Sequence, residues 1–163
     1  MAVARPRRAA ATASHPLSEA LARELGVKAE RLPSLMRRSV GDFISPEDAG
    51  NWLVNFAVSL GELLRHVLRE RGVELPDNIW VGADAEVDYN GYKYNEIVPY
   101  VRLKNRFRVV LLRAAHEARY GVILEDAETL DDVEEFLRGW LAVAAEEAEA
   151  AIAMLLHRPA PPK

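Results

Sequence analysis

Apolar residues return along the chain with a helical rhythm in four places and with a strand rhythm in one. Leu17, Leu21 and Leu25 recur at i, i+4 and i+8, and Gly26 follows. That spacing predicts a short helix in "PLSEALARELG" with glycine as its stop. "VKAERLPSLMRRSV" predicts a second short piece, interrupted at Pro33. The strongest signal is "ISPEDAGNWLVNFAVSLGELLRHVLRERG". Ser45 is placed as N-cap, Pro46 at the first helical position and Gly72 as the stop. Trp52, Phe56, Leu60, Leu63, Leu64 and Val67 make its apolar stripe, and Arg65, Arg69 and Arg71 crowd its C-terminal end, where cations complement the helix dipole.

The rhythm then changes. Asn90-Gly91 between Tyr89 and Tyr92 is a two-residue hairpin signal, because both turn positions need positive φ. It predicts strands over 84–89 and 92–98. From Pro99 to Gly121 a helical period is again available. Leu103, Phe107, Val110, Ala114 and Ala118 share one face, Arg102, Arg106 and Arg113 a second, and Lys104, Arg108 and Arg119 a third. A last helix is predicted from the N-cap Thr129 to about His157, with Val133, Leu137, Trp140, Leu141, Ala144, Ala148, Ile152 and Leu155 as its stripe. The expected fold is mostly α: an irregular helical bundle with a small β-hairpin and an extended basic N-terminal arm. Residues 1–40 are the arm with its short helices, 41–157 the bundle domain, and 158–163 a Pro-rich tail.

Charge changes this picture more than composition does. Net charge over the 163 residues is −4, but residues 1–40 carry eight basic against three acidic side chains, +5, and residues 41–163 carry 13 against 22, −9. A basic arm on an acidic body follows. Residues 125–149 alone hold ten acids and one arginine, which suits a solvated helix face. There is no cysteine, so a disulfide framework and thiol chemistry are excluded. Glutamine is absent and arginine outnumbers lysine 17 to 4, a bias of thermophilic proteins that a GC-rich genome also produces. No stretch reaches the roughly 18 apolar residues of a membrane span. The first residues lack the apolar core of a secretory signal, although their Arg, Ala and Ser content suits a transit peptide.

Catalytic and metal chemistry find little to stand on. "EVDYNGYKYNE" sets Glu86, Asp88, Asn90 and Gly91 at positions 1, 3, 5 and 6 of a calcium loop, but Glu96 falls at position 11 and Ile97 at position 12, where a bidentate glutamate is required. His15, His66, His116 and His157 have no HExxH or Glu-x-x-His context. No serine lies in Gly-x-Ser-x-Gly and no phosphate-cradling glycine loop occurs. The expectation is a protein that is not an enzyme and takes no metal or cofactor. The arginines carry the functional signal, because a planar guanidinium fork matches phosphate. Arg5, Arg7, Arg8, Arg37, Arg38, Arg102, Arg106 and Arg113 are the candidate nucleic-acid-binding residues. They would follow a phosphate backbone without reading bases. For Arg108 and Arg119, pairing with the acidic last helix is an equal alternative.

In layout, "MAVARPRRAAATASHPLSEALARELGVKAERLPSLMRR" followed by the apolar helices at 45–72 and 129–157 resembles the major capsid proteins of filamentous archaeal viruses. The resemblance implies an N-terminal arm packed on double-stranded DNA, a helical outer shell, and copies of the chain, or of a related one, assembled into a helical virion. It also implies a virion location, with the host cytoplasm before assembly. The hairpin and the acidic last helix depart from that pattern. Two other functions fit the same features: an accessory subunit of a nucleoprotein machine, such as the small subunit of an RNA-guided effector, and a protein–protein adaptor with a transit-like N-terminus.

Overall fold

The computed structural model describes residues 14–37, 46–87, 95–117 and 127–157. The chain is mostly helical and carries a small three-stranded antiparallel sheet. Helix α1 spans Pro16–Leu25, a 3-10 turn spans Ala29–Arg31, α2 spans Leu32–Met36 and α3 spans Pro46–Glu70. Strands β1 (Ile79–Val87), β2 (Asn95–Leu103) and β3 (Val109–Val110) follow, then the short α4 (Leu112–Glu117) and the long α5 (Leu130–His157).

The two glycine stops act as the sequence predicts. Gly26 and Gly72 take left-handed φ values of 72° and 82°. Beyond them Val27 N–H reaches back to the Ala22 carbonyl at 3.0 Å and Val73 N–H to the Leu68 carbonyl at 2.9 Å, the Schellman arrangement that only glycine adopts without strain. The α3 stripe is buried at Leu53, Phe56, Leu60, Leu63, Leu64 and Leu68. At the start of α5, Asp132 accepts from the Glu128 and Thr129 N–H groups at 2.8 and 3.0 Å, and the Thr129 hydroxyl accepts from Asp132 N–H at 3.3 Å. The backbone donor of Glu128, and then that of Thr129, holds the Asp132 carboxyl below its usual range. Ser45 as N-cap lies outside the described residues.

Of the segment expected to be a third helix, only Leu112–Glu117 is helical among the described residues, and the part before it belongs to the sheet. β2 pairs with β1 from Val87↔Asn95 to Ile79↔Leu103, and β3 adds Tyr100↔Val110 and Val101↔Val109. The helical period over 99–110 is incidental, whereas Ala114 of the expected apolar face is buried on α4. Phe107, placed on its apolar face, is 96% exposed. The run Ile97-Val98-Pro99-Tyr100-Val101 is β-branched and aromatic, which favours a strand. Asn105, with φ at 66°, bends the chain back toward β3. Pro99 sits inside β2, where the Leu111 N–H donates to its carbonyl at 2.9 Å. The N–H and C=O of one strand residue point the same way, so its missing donor faces the end of β3, where the ladder stops.

The strands run 79–87 and 95–103, where the pattern had suggested 84–89 and 92–98. The pair Val87↔Asn95 leaves an odd number of residues between the strands. A two-residue turn closed by Tyr89 and Tyr92 needs an even number, or a bulge. Residues 88–94 lie outside the described residues, as does most of the calcium-loop candidate. Its flanks are strands, whereas a calcium hand has helices.

One core joins the layers. On β1, Ile79, Val81 and Ala83 face it, and on β2 Ile97 and Val101 do. They pack with α3 and with Val133, Leu137, Trp140, Leu141 and Ala144 of α5. The Trp140 indole N–H donates to the Ala114 carbonyl of α4 at 3.0 Å. The acidic last helix is not simply a solvated face. Glu134 is 3% exposed, and it accepts from Leu17 N–H (3.2 Å), Ser18 N–H (2.8 Å) and the Ser18 hydroxyl (2.9 Å) at the start of α1. Glu147 accepts in the same way from Arg113 and Ala114 N–H (3.0 and 2.8 Å) at the start of α4. Two carboxylates of α5 thus satisfy the orphan donors of two other helices.

Candidate nucleic-acid interface

The site grows out of the open end of the β1–β2 hairpin. Alternation along β1 places Trp80, Gly82 and Asp84 on the face away from the core, opposite Arg102, Tyr100 and Val98 of β2. After β2 the chain turns sharply. Arg106 N–H donates to the Leu103 carbonyl at 3.0 Å, with Lys104 and the left-handed Asn105 between them. Lys104 N–H donates to the Asn78 carbonyl at 2.8 Å, which ties the turn to the start of β1. The result is an open depression of about 420 Å³ between the two, whose charged side chains are Arg102, Lys104, Arg106 and Asp77. Trp80 and the amides of Asn78 and Asn105 complete its wall.

The aromatic part is built around a glycine. A Cβ at Gly82 would stand 2.7 Å from the Trp80 indole nitrogen and 2.9 Å from the Tyr100 hydroxyl, so both side chains lie over that bare stretch of strand. Tyr100 is nearly buried, with the guanidinium carbons of Arg108 and Arg102 lying 5.5 and 5.8 Å from its ring centre. Trp80 is 49% exposed. Arg65 comes to it from α3 around the outer edge of β1. Its guanidinium carbon is 4.1 Å from the indole centre, and it donates to the Val81 carbonyl and to Glu62. β1 is an edge strand, and Arg65 covers part of that edge. Arg65 is only 8% exposed whereas Trp80 is half-exposed, so the guanidinium occupies the inner side of the indole and the exposure of the ring lies away from it. Burial, followed by the nearby Arg69, lowers the pKa of Arg65 against the opposing pull of Tyr100 and Glu24, yet a guanidinium stays charged at neutral pH.

The ridge expected of Arg102, Arg106 and Arg113 does not form. Arg102 and Arg106 come together, one on a strand and one in a turn. Arg113 lies on α4, paired with Glu146 of α5 at 2.9 Å. Arg37 ends α2 and donates to the Ala127 carbonyl. Arg5, Arg7, Arg8 and Arg38 lie outside the described residues. Arg108 pairs with Asp84 on β1 and not with the last helix, and Arg119 lies outside the described residues. Trp80, Lys104 and Arg65 were missed as a group. The usable signal was "NIWVGAD", whose alternation puts Trp80 on the same side as Asp84 and whose interior glycine marks a close approach.

The arrangement offers permanently charged donors beside an open aromatic surface. Among the described residues no group of three or more His, Asp or Glu side chains converges as a metal site, and no helix is long and apolar enough to cross a membrane. Comparison with protein-family models, curated proteins and solved structures finds no match to this chain.

Proposed function

We propose that the protein binds nucleic acid without catalysis, through phosphate contacts on the outer face of its sheet. The observation that carries this is the convergence of Arg102, Lys104 and Arg106 with a half-exposed tryptophan in one open depression. A guanidinium bound to phosphate makes charge-assisted, often bidentate hydrogen bonds, and the three cations outnumber the carboxylate of Asp77 in the depression. Arg5, Arg7, Arg8 and Arg38 belong to the same proposal as further phosphate contacts from the basic segment 1–40.

Packaging is the assembled form of this function. The basic arm of one copy would meet exposed acids of α5 on the next, such as Asp131, Glu135 and Glu146. A head-to-tail contact of that kind builds rings or filaments. In such an assembly the helical layer is the outer shell, copies of the chain are the partners, and the virion is the location.

The test is salt-titrated binding of the variant Arg102→Ala/Lys104→Ala/Arg106→Ala. Each lost phosphate contact removes about 0.7 from the slope of log K against log salt on a single strand and about 0.9 on a duplex. The triple variant is expected to bind more weakly, with a slope shallower by up to about 2 on a single strand. A slope equal to that of the wild type, with circular dichroism unchanged, would remove this face from the proposal.

A further inference from the structure

We infer that the ligand of this surface is a single strand, held by an unpaired base stacked on the open side of Trp80 with its flanking phosphates on Arg102, Lys104 and Arg106. This rests on the phosphate reading of the same depression. Three features select a single strand over a duplex. First, Trp80 is prepared as a platform. Arg65 fixes the inner side of the indole at 4.1 Å, so the ring needs no ordering when a base arrives on the outer side. Bases in a duplex have their faces hidden in the stack, and only an unpaired base offers a face to an aromatic ring. Second, the cations are not alone. Asp77 stands in the same depression and would repel a phosphate. A carboxylate there suits the N–H edge of a base, and Asn78 and Asn105 add donors and acceptors of the same use. Third, Phe107 follows Arg106 in the chain and is 96% exposed. An aromatic ring left in water beside two arginines fits a second stacking position, since every base has a π-face. Tyr100 takes no part in stacking, because it is nearly buried.

The experiment compares the full-length wild type with Trp80→Ala and Trp80→Phe on 12-nucleotide oligo(U), oligo(dT) and a 12-base-pair duplex of mixed sequence. The wild type should prefer the single strands. Trp80→Ala should lose about tenfold or more on them, as stacking one base on one ring implies. Its duplex binding and its salt slope should not change. Trp80→Phe, which keeps a ring, should recover most of the loss, and thermal melting should show all three proteins folded. The oligo(U) and oligo(dT) arms separate RNA from DNA as the strand bound. Equal losses on single strand and duplex, or no loss on either with the salt slope intact, would overturn the stacking inference and leave the phosphate surface standing. A wild type that binds none of the three ligands would overturn both.

Discussion

Glu134→Ala should destabilise the protein by about 2–4 kcal/mol, although the residue lies on the most acidic stretch of the chain. Its carboxylate is 3% exposed and accepts three hydrogen bonds, two from the backbone N–H groups of Leu17 and Ser18 and one from the Ser18 hydroxyl. Those amides are orphan donors of the first turn of α1, where a negative charge also meets the positive end of the helix dipole. Alanine leaves the two buried Ser18 donors and the partly buried Leu17 N–H without this partner, and each buried group costs about 1–3 kcal/mol, partly relieved by entering water. Glu134→Gln keeps one acceptor oxygen and loses the charge, so it should cost roughly half as much. Urea unfolding of both variants reads the difference. A loss below about 0.5 kcal/mol for Glu134→Ala would show that α1 is held to α5 by its other contacts, the apolar packing of Leu21 and Ala22 and the contact of His15 with Asp131.

Gly61 of α3 should not accept a side chain without loss of stability. A Cβ there would lie 3.0 Å from the backbone nitrogen of Ala83 and 3.1 and 3.2 Å from two backbone atoms of Gly82. No rotamer relieves a clash with backbone, so the helix must move off the sheet. Gly61→Ala sets that overpacking cost, typically 1–3 kcal/mol, against the roughly 1 kcal/mol that alanine gains over glycine in a helix. The net is a loss of up to about 2 kcal/mol, rising to about 3 or more for Gly61→Val, whose extra methyls enter the same contact. Gly139 is the internal control. It lies within α5 with nothing within 4 Å of an added Cβ, so Gly139→Ala should stabilise by about 0.5–1 kcal/mol. Equal effects at the two glycines would mean that α3 does not approach β1 as closely as described.

Most of the helical layer was legible because its signals are local. Phe56, Leu60, Leu63 and Leu64 of α3 and Val133 to Ile152 of α5 follow the helical period, Gly26 and Gly72 stop their helices, and Thr129 starts the last one. The sheet was half legible for the opposite reason. Arg102, Phe107 and Val110 satisfy a helical period by chance, and only pairing with β1, some twenty residues away, decides against it. Such pairing leaves no mark within a short window. The candidate site suffers most from this. Arg102, Arg106 and Arg113 line up on an imagined helix, whereas the strand and turn bring Arg102 and Arg106 to Trp80 and send Arg113 to Glu146. The role of Glu134 was hidden too, because composition sees an acid among acids and only the docking of α1 makes it a cap.

The claim that the outer sheet face meets nucleic acid is tested most directly by mapping where a strand touches the chain. A short single-stranded oligonucleotide is photo-crosslinked to the full-length protein, and the attached peptides are sequenced. Attachment is expected at Trp80 and within Lys104–Arg108. Attachment confined to residues 1–40 or to α5, with none at Trp80 or Lys104–Arg108, would contradict it.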